Sequence, residues 1–280
     1  MLKQALPKLR VAVDWFSPPE RIGREAEGMR WLARLLPAGS VPALLFEDPA
    51  HHLLAMEAIP GRRSWKAMLL AGSLEAAHVE QFARMLAAIH AGGRGAEARA
   101  AFADRSWFES LRLEPYYAYT AAQVPEAAAF LTALAEETRR ELHTIVHGDY
   151  SPKNILVRDG RLVLLDHEVI HFGDPAFDVG FSLAHLLSKA HHLAALRGEF
   201  AAAAGAYWNV YAREANAREW EARSVRHTLG CLLARVAGRS PLEYLDAEER
   251  ARQRGAVLPL LSAPPDTIPE IIGEFTRRLS

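Results

Sequence analysis

The chain has 280 residues, half of them hydrophobic, enough to bury a substantial core in one large domain or two lobes. Its 34 acidic and 33 basic residues nearly cancel, so bulk charge gives no reason to expect nucleic acid or a membrane surface as partner. A lone cysteine, Cys231, excludes an internal disulfide and suits a reducing compartment, and no apolar run approaches the ~18 residues of a membrane-spanning helix. The N-terminal residues lack the apolar stretch and small-residue cleavage site of a signal peptide, and the expected location is the cytoplasm.

Leu2 to Leu6 reads as a short strand carrying Lys3. Ser17-Pro18-Pro19-Glu20 supplies a helix start, and Ile22, Met29, Leu32, Leu35 and Leu36 then recur at helical spacing until Pro37 to Ser40 ends the run. Ala43 to Glu47 and Leu53 to Ile59 flank Asp48-Pro49 as a predicted hairpin. After Pro60-Gly61 the pattern turns helical, with an apolar face at Val79, Phe82, Met85, Leu86 and Ile89, and a second helix predicted from Glu126 to His143. An island of strand signal follows. Ile145-Val146, Ile155 to Val157 and Leu162 to Leu165 surround an Asp159-Gly160 pair, a strong hairpin signal. Helices resume from Pro175, broken near Gly238 to Pro241 and Ala263 to Pro265. The layout is a β-rich part over residues 1–60 and a helical part over 61–280 that holds one hairpin.

The island carries the chemistry. His147-Gly148-Asp149 ends its first apolar stretch, Asn154 begins the second, and Asp166 and Glu168 end the third. The strands bring these groups to one end of the hairpin, where two carboxylates and an amide form an oxygen-ligand set suited to Mg²⁺. Asp149 then sits opposite the metal and orients a hydroxyl, and phosphoryl transfer needs little beyond such positioning and charge neutralisation. Each of these residues alone is equally an ordinary turn residue bonding its own backbone; the order and spacing of the set favour the phosphotransfer reading.

The run His147-Gly148-Asp149-Tyr150-Ser151-Pro152-Lys153-Asn154 followed by Leu165-Asp166-His167-Glu168 resembles the catalytic signature of the aminoglycoside phosphotransferase and choline kinase superfamily, small-molecule relatives of the protein kinases. The resemblance implies an α+β, protein-kinase-like two-lobed fold with a truncated β-rich N-lobe and a mainly helical C-lobe. It implies transfer of the γ-phosphoryl of ATP to a hydroxyl of a small sugar, amino-sugar or amino-alcohol, with Mg²⁺. Asp149 is then the catalytic base, and Asn154 and Asp166 hold the metal. Glu168 echoes the Asp-x-Glu of methylthioribose-kinase-like members, as a second metal or substrate group, or else is a solvated strand-end glutamate. Asp174 caps the following helix and Asp178 bonds the catalytic-loop backbone. Lys3 and Glu25 match the kinase lysine–glutamate pair that steadies the phosphates, and backbone groups around Glu57 and Ile59 fall where the inter-lobe hinge meets adenine. Nothing before Lys3 forms a glycine-rich phosphate loop; either the natural protein carries about forty more residues upstream, a rough length for two strands and a loop and the favoured expectation, or the chain is truly truncated, with weaker nucleotide binding and an exposed sheet edge.

Two other readings compete. One is a non-catalytic kinase-like binding protein, opposed by the intact Asp149, Asn154 and Asp166. The other is a hydrolase using His147 and Asp149, opposed by the lack of a Gly-x-Ser-x-Gly elbow. The acidic positions Glu109, Glu114, Glu219 and Glu221 are candidates to meet a cationic acceptor, and oligomeric state is left open. His185, Lys189 and His192 share a helix face and read as polar surface rather than a metal site. Arg235 to Pro241 reads equally as a segment approaching the substrate cleft and as a helix end with basic residues favoured by the dipole.

Overall fold

The structure, a computed structural model, describes residues 1–8 and 15–279. Its first sheet is antiparallel in the order β1-β3-β2, from β1 (Leu2–Gln4), β2 (Leu44–Asp48) and β3 (Leu53–Met56). Alternation along β3 buries Leu54 and Met56, and the register sets Lys3 opposite Leu54. The predicted hairpin between β2 and β3 is longer than a tight turn. Asp48 caps a 3₁₀ turn, Pro49–His51, and His52 takes a left-handed conformation at φ 51°. The helix Arg21–Leu35 follows its predicted apolar spacing and buries Ile22, Ala26, Met29 and Leu32. Four such side chains contribute about 1.5–3 kcal/mol each for the larger ones, enough to fix the helix against the sheet. Elsewhere on this sheet the apolar side chains face solvent: Leu2 is 76 % exposed, Leu45 67 % and Phe46 56 %.

Past residue 60 the helices dominate. The predicted hairpin forms as β6 (Ile155–Arg158) and β7 (Arg161–Leu164), turning at Asp159 and Gly160, both at positive φ. Two features had no clear sequence signal. The two-residue strand β4 (Arg63–Ser64) pairs with β6, and β8 (His171–Gly173) pairs with β5 (Thr144–Val146). Both are too short for a periodicity to show. The predicted helix over 126–143 is a 3₁₀ turn, Pro125–Ala127, leading into Ala128–Arg140.

The helix Pro175–His192 is the axis of this part. Every residue from Pro175 to His191 is buried, as expected of a helix covered on all sides. Glu221–Ala237 crosses it so closely that a Cβ at Gly180 would lie 2.4 Å from the His227 Cβ. The face predicted as polar surface is therefore interior: His185 is 4 % exposed and Lys189 fully buried. The i, i+4 spacing was right about the face and silent about what covers it, since the covering helices come from much later in the chain. One continuous apolar core runs from the inner side of the first sheet through these helices, and the fold is α+β.

Candidate active site

The segment from His147 to Asn154 links β5 to β6 and is tied down from several directions. Asp178, in the first turn of Pro175–His192, accepts hydrogen bonds from the backbone N–H of His147 at 2.6 Å and of Gly148 at 2.8 Å, as predicted for it. His90 Nε2 lies 3.2 Å from the same carboxylate. The Tyr150 hydroxyl donates to the Phe82 carbonyl at 2.7 Å while its ring stacks on Phe82, and Ser182 Oγ lies 2.9 Å from the Tyr150 carbonyl. Gly148 sits at φ +76°, and a Cβ there would press within 3.0 Å of Val169. Asp174 caps the helix by accepting from Ala176 N.

Asp149 is 1 % exposed. Its Oδ2 lies 2.8 Å from Arg112 Nη2, from Lys153 Nζ and from Asn154 Nδ2, whereas Oδ1 is buried with no partner. An unsatisfied buried carboxylate oxygen is uncommon in a folded protein and marks a place where a ligand donor fits. Burial pushes the Asp149 pKa up, but Arg112 and Lys153 pull it down by more, so the group is an anion and an acceptor at neutral pH.

Arg112 is the residue sequence reasoning missed. It is 7 % exposed, and its Nε also donates to the Gly148 carbonyl at 2.8 Å. It comes from a π-helical segment, Glu109–Ala118, with Pro115 inside it; proline lacks the N–H for an α-helical bond, which favours the wider turn. The available signal was a lone arginine between two leucines, Leu111 and Leu113. Lys153 lay within the motif but had no assigned role.

On the other side of Asn154 lies an acid-rich cluster. Asp166 follows β7 at φ +67°, a strained backbone for a non-glycine residue and a kind of strain that collects at functional sites. Lys3 Nζ bonds Asp166 Oδ1 at 2.6 Å and also Glu25 Oε2, so the predicted lysine–glutamate pair forms and includes Asp166. Glu168 Oε2 receives the Arg21 Nε at 3.0 Å; Arg21 is itself buried against the carbonyls of Leu6, Ser17 and Pro18. Oxygens of Glu25, Asp166 and Glu168 all lie within 4.8 Å of one another. Burial raises the Glu25 pKa despite Lys3. Burial also works against ionising Asp166, but Lys3 and Lys153 outweigh it and hold the pKa below the ordinary carboxylate range. The Lys3 ammonium, which burial disfavours, is raised by Asp166, Glu25 and Glu168. A cavity of about 140 Å³ opens here, lined by Lys3, Glu25, Asn154 and Asp166 together with Met29 and Met56.

These positions suit a hard divalent cation. Asn154 Nδ2 donates to the Asp149 carbonyl and to Oδ2, which leaves the amide oxygen as its remaining ligand atom, and three carboxylates crowd beside it with less positive charge than they need. Glu57 and Ile59 are not brought into this cavity. They border a separate one with Gly39, Arg158 and Arg161. The Glu57 N–H donates to the Ala43 carbonyl at 2.8 Å, and the Ile59 carbonyl accepts from Arg62 at 2.8 Å.

A sequence profile of the phosphotransferase enzyme family, APH, matches residues 10–222. Methylthioribose kinase of Pectobacterium carotovorum subsp. carotovorum is 27 % identical over 73 % of this chain and 58 % of that protein. Methylthioribose kinase of Yersinia enterocolitica gives the same identity and shares. The chain thus spans 58 % of the length of these relatives. Among solved structures, a choline/ethanolamine kinase family protein from Mesorhizobium loti superposes with a TM-score of 0.56 at 19 % identity, over 94 % of this chain and 85 % of that one. An amicoumacin kinase in complex with AMP-PNP, Ca²⁺ and Ami gives 0.52 at 17 % identity, over 90 % and 80 %. At these identities the structures speak to fold alone, and that fold is the expected kinase-like one.

Proposed function

Since this chain belongs to the phosphotransferase enzyme family, we propose that it transfers the γ-phosphoryl of ATP to a hydroxyl of a small molecule. The observation that carries this reading is the asymmetry of Asp149: one oxygen tied to Arg112, Lys153 and Asn154, the other buried and free. An acceptor hydroxyl donating to Oδ1 is held in one orientation with its lone pair directed at the phosphoryl group. Asp149 then takes the hydroxyl proton as the new O–P bond forms and the bond from the γ-phosphorus to the bridging oxygen breaks, with ADP as the leaving group. Arg112 and Lys153 keep the carboxylate ionised until that moment. Lys3, positioned by Glu25, steadies the phosphates.

Asn154, Asp166 and, beside them, Glu168 are the residues that would hold Mg²⁺. The metal would supply neutralisation of the phosphate oxygens. In this reading residues 1–60 form the nucleotide-side lobe and residues 61–280 the acceptor-side lobe. The hinge at Glu57 and Ile59 meets adenine there once the Arg62 contact to the Ile59 carbonyl is exchanged for the base. Three things support the reading: the family, the orphan Asp149 oxygen, and the strained Asp166 facing Lys3.

The test is a melting-temperature titration with ATP, with and without Mg²⁺, followed by an acceptor screen that detects ADP and phosphorylated product. A ligand that binds only the folded state must raise its Tm. A Mg²⁺-dependent shift with product formation is expected. Undiminished turnover in Asp149→Asn would overturn the role given to Asp149.

A further inference from the structure

Elsewhere in the interior, on the helices Pro175–His192 and Glu221–Ala237, lie basic side chains with no ion-paired acid among the described residues. Lys189 Nζ reaches only the carbonyl of His185, 3.2 Å away on its own helix, and the Tyr244 ring at 5.5 Å. Among the described residues no carboxylate lies within ion-pair distance of it or of Arg235. Arg235 Nη1 donates to the Tyr116 hydroxyl at 2.9 Å and to Ser240, while its Nε has no partner. His185 Nε2 and the Tyr244 hydroxyl are also buried without partners. Glu243, the acid near these groups, has a side chain 62 % exposed and is paired with Lys66.

The cluster is joined to the carboxylate of Asp149 by a chain of contacts. Tyr116 lies between Arg112, at 5.9 Å, and Arg235, at 5.7 Å, and Arg112 holds Asp149. Arg235 is thus joined to Asp149 through Tyr116 and Arg112.

A buried cation without a counter-ion is unfavourable, and the protein responds by weakening the charge. Burial pulls Lys189 down to about 7 and His185 well below its ordinary range, with Lys66 and Arg235 adding repulsion at Lys189. Packing does not require this. A methionine would fill the Lys189 position without the charge. The acids that sequence reasoning set aside for a cationic acceptor are mostly engaged elsewhere: Glu109 with Arg139, Glu114 with Arg239, and Glu221 with the N–H of Ile268. Glu219 lies exposed.

We propose that His185, Lys189 and Arg235 form an anion-binding subsite of the acceptor pocket, so that the acceptor is a hydroxy compound bearing a carboxylate or phosphate. This rests on the phosphotransferase reading for the role of Asp149. The anion supplies the missing counter-charge, restores full protonation of Lys189, and fixes which hydroxyl faces Asp149.

The probes are sodium glycerate and glycerol 3-phosphate, each carrying a hydroxyl and an anion, with glycerol as the uncharged control, all at one ionic strength. Binding is read by Tm shift and calorimetry on wild type, Lys189→Met, Lys189→Arg and Arg235→Met. At least one anion is expected to bind wild type and glycerol not to; Lys189→Met and Arg235→Met lose tenfold or more in affinity, and Lys189→Arg keeps most of it. The stronger of the two anions identifies carboxylate or phosphate. Anion binding no tighter than glycerol, or unchanged in both methionine variants, overturns the subsite. The Mg²⁺·ATP shift measured on the same samples shows that each variant is folded. Its absence in wild type sinks the phosphotransferase reading and leaves the anion result standing by itself.

Discussion

Two charged regions are joined to Asp149, one through Asn154 and one through Arg112 and Tyr116, and they are opposites. In one, three carboxylates, Glu25, Asp166 and Glu168, crowd within 4.8 Å and pair with Lys3 and Arg21. In the other, His185, Lys189 and Arg235 are buried with no ion-paired acid among the described residues. The chain as a whole is nearly neutral, at −1, so this polarity is created by the fold and is invisible in composition. Each side alone costs stability, because like charges gathered in the interior repel and lack solvation. That cost is explained if each side is completed by a ligand of opposite charge, a cation with its phosphates on one and an anionic acceptor on the other.

Removing the group between the two sides has the largest expected effect. Asp149→Asn puts an amide N–H₂ or a neutral oxygen where the hydroxyl must donate. It also leaves Arg112 and Lys153 without their anion. A general base contributes 10²–10⁴-fold, so turnover should fall by about 10³-fold while the Mg²⁺·ATP shift survives. Steady-state kinetics and the Tm titration read the two quantities separately. Loss of nucleotide binding along with turnover would show that the two sides are not independent.

Next comes the scaffold that holds Asp149 in place. Asp178→Ala orphans the N–H groups of His147 and Gly148, both buried. Each such donor costs about 1–3 kcal/mol, so urea denaturation should show a loss of about 3 kcal/mol, with Asp178→Asn losing less because one acceptor remains. A loss under about 1 kcal/mol would mean that water or another carbonyl takes over, and that this helix does not fix the loop.

The basic side makes a prediction of opposite sign. Lys189 has a folded pKa of about 7 against 10.5 when unfolded. Between those values the unfolded chain binds more protons, so wild-type stability rises with pH across that window, and the penalty is fully present below pH 7. Lys189→Met should therefore stabilise the unliganded protein by about 2–3 kcal/mol at pH 6, and the advantage should fade towards pH 10. Equal stability at pH 6 would mean that Lys189 has a counter-charge after all.

How much of this was legible in sequence divides along the same line. Asp149, Asn154, Asp166 and Glu168 lie within a short run whose turns are set locally. The Asp-Gly hairpin returns Asp166 to Asn154, and the loop geometry follows from residues close in sequence. Lys3 and Glu25 were placed by resemblance to a family pattern, and the geometry agrees. The basic side was assembled from residues 112, 185, 189, 235 and 244, on elements distant in the chain, and no local pattern announces that two helices will close over Lys189. The i, i+4 spacing of His185 and Lys189 showed a shared face, yet exposure was the wrong default once the helix became the axis of the bundle. Arg112 was hidden for a further reason: a π-helical segment interrupts the period by which helical faces are read.

The smallest expected effect sharpens the acid side. Glu168 has two possible roles, partner to Arg21 or ligand to a metal, and its geometry serves both. Arg21 occupies Oε2 at 3.0 Å, but Oε2 is only one of its two oxygens, and the carboxylate remains within the Asp166 cluster. Glu168→Gln keeps an oxygen for Arg21 and removes one negative charge from the cluster. As a pure partner of Arg21, which also bonds three backbone carbonyls, Glu168 could lose its charge with little effect on Mg²⁺. As a ligand, its neutral replacement should raise the Mg²⁺ concentration that half-saturates the ATP-dependent Tm shift by about three- to tenfold, or about 1 kcal/mol. The half-saturation point should move while the Tm without Mg²⁺ stays nearly fixed. A shift in the metal-free Tm alone would return Glu168 to its place as the counter-ion of Arg21, leaving Asn154 and Asp166 to hold the cation.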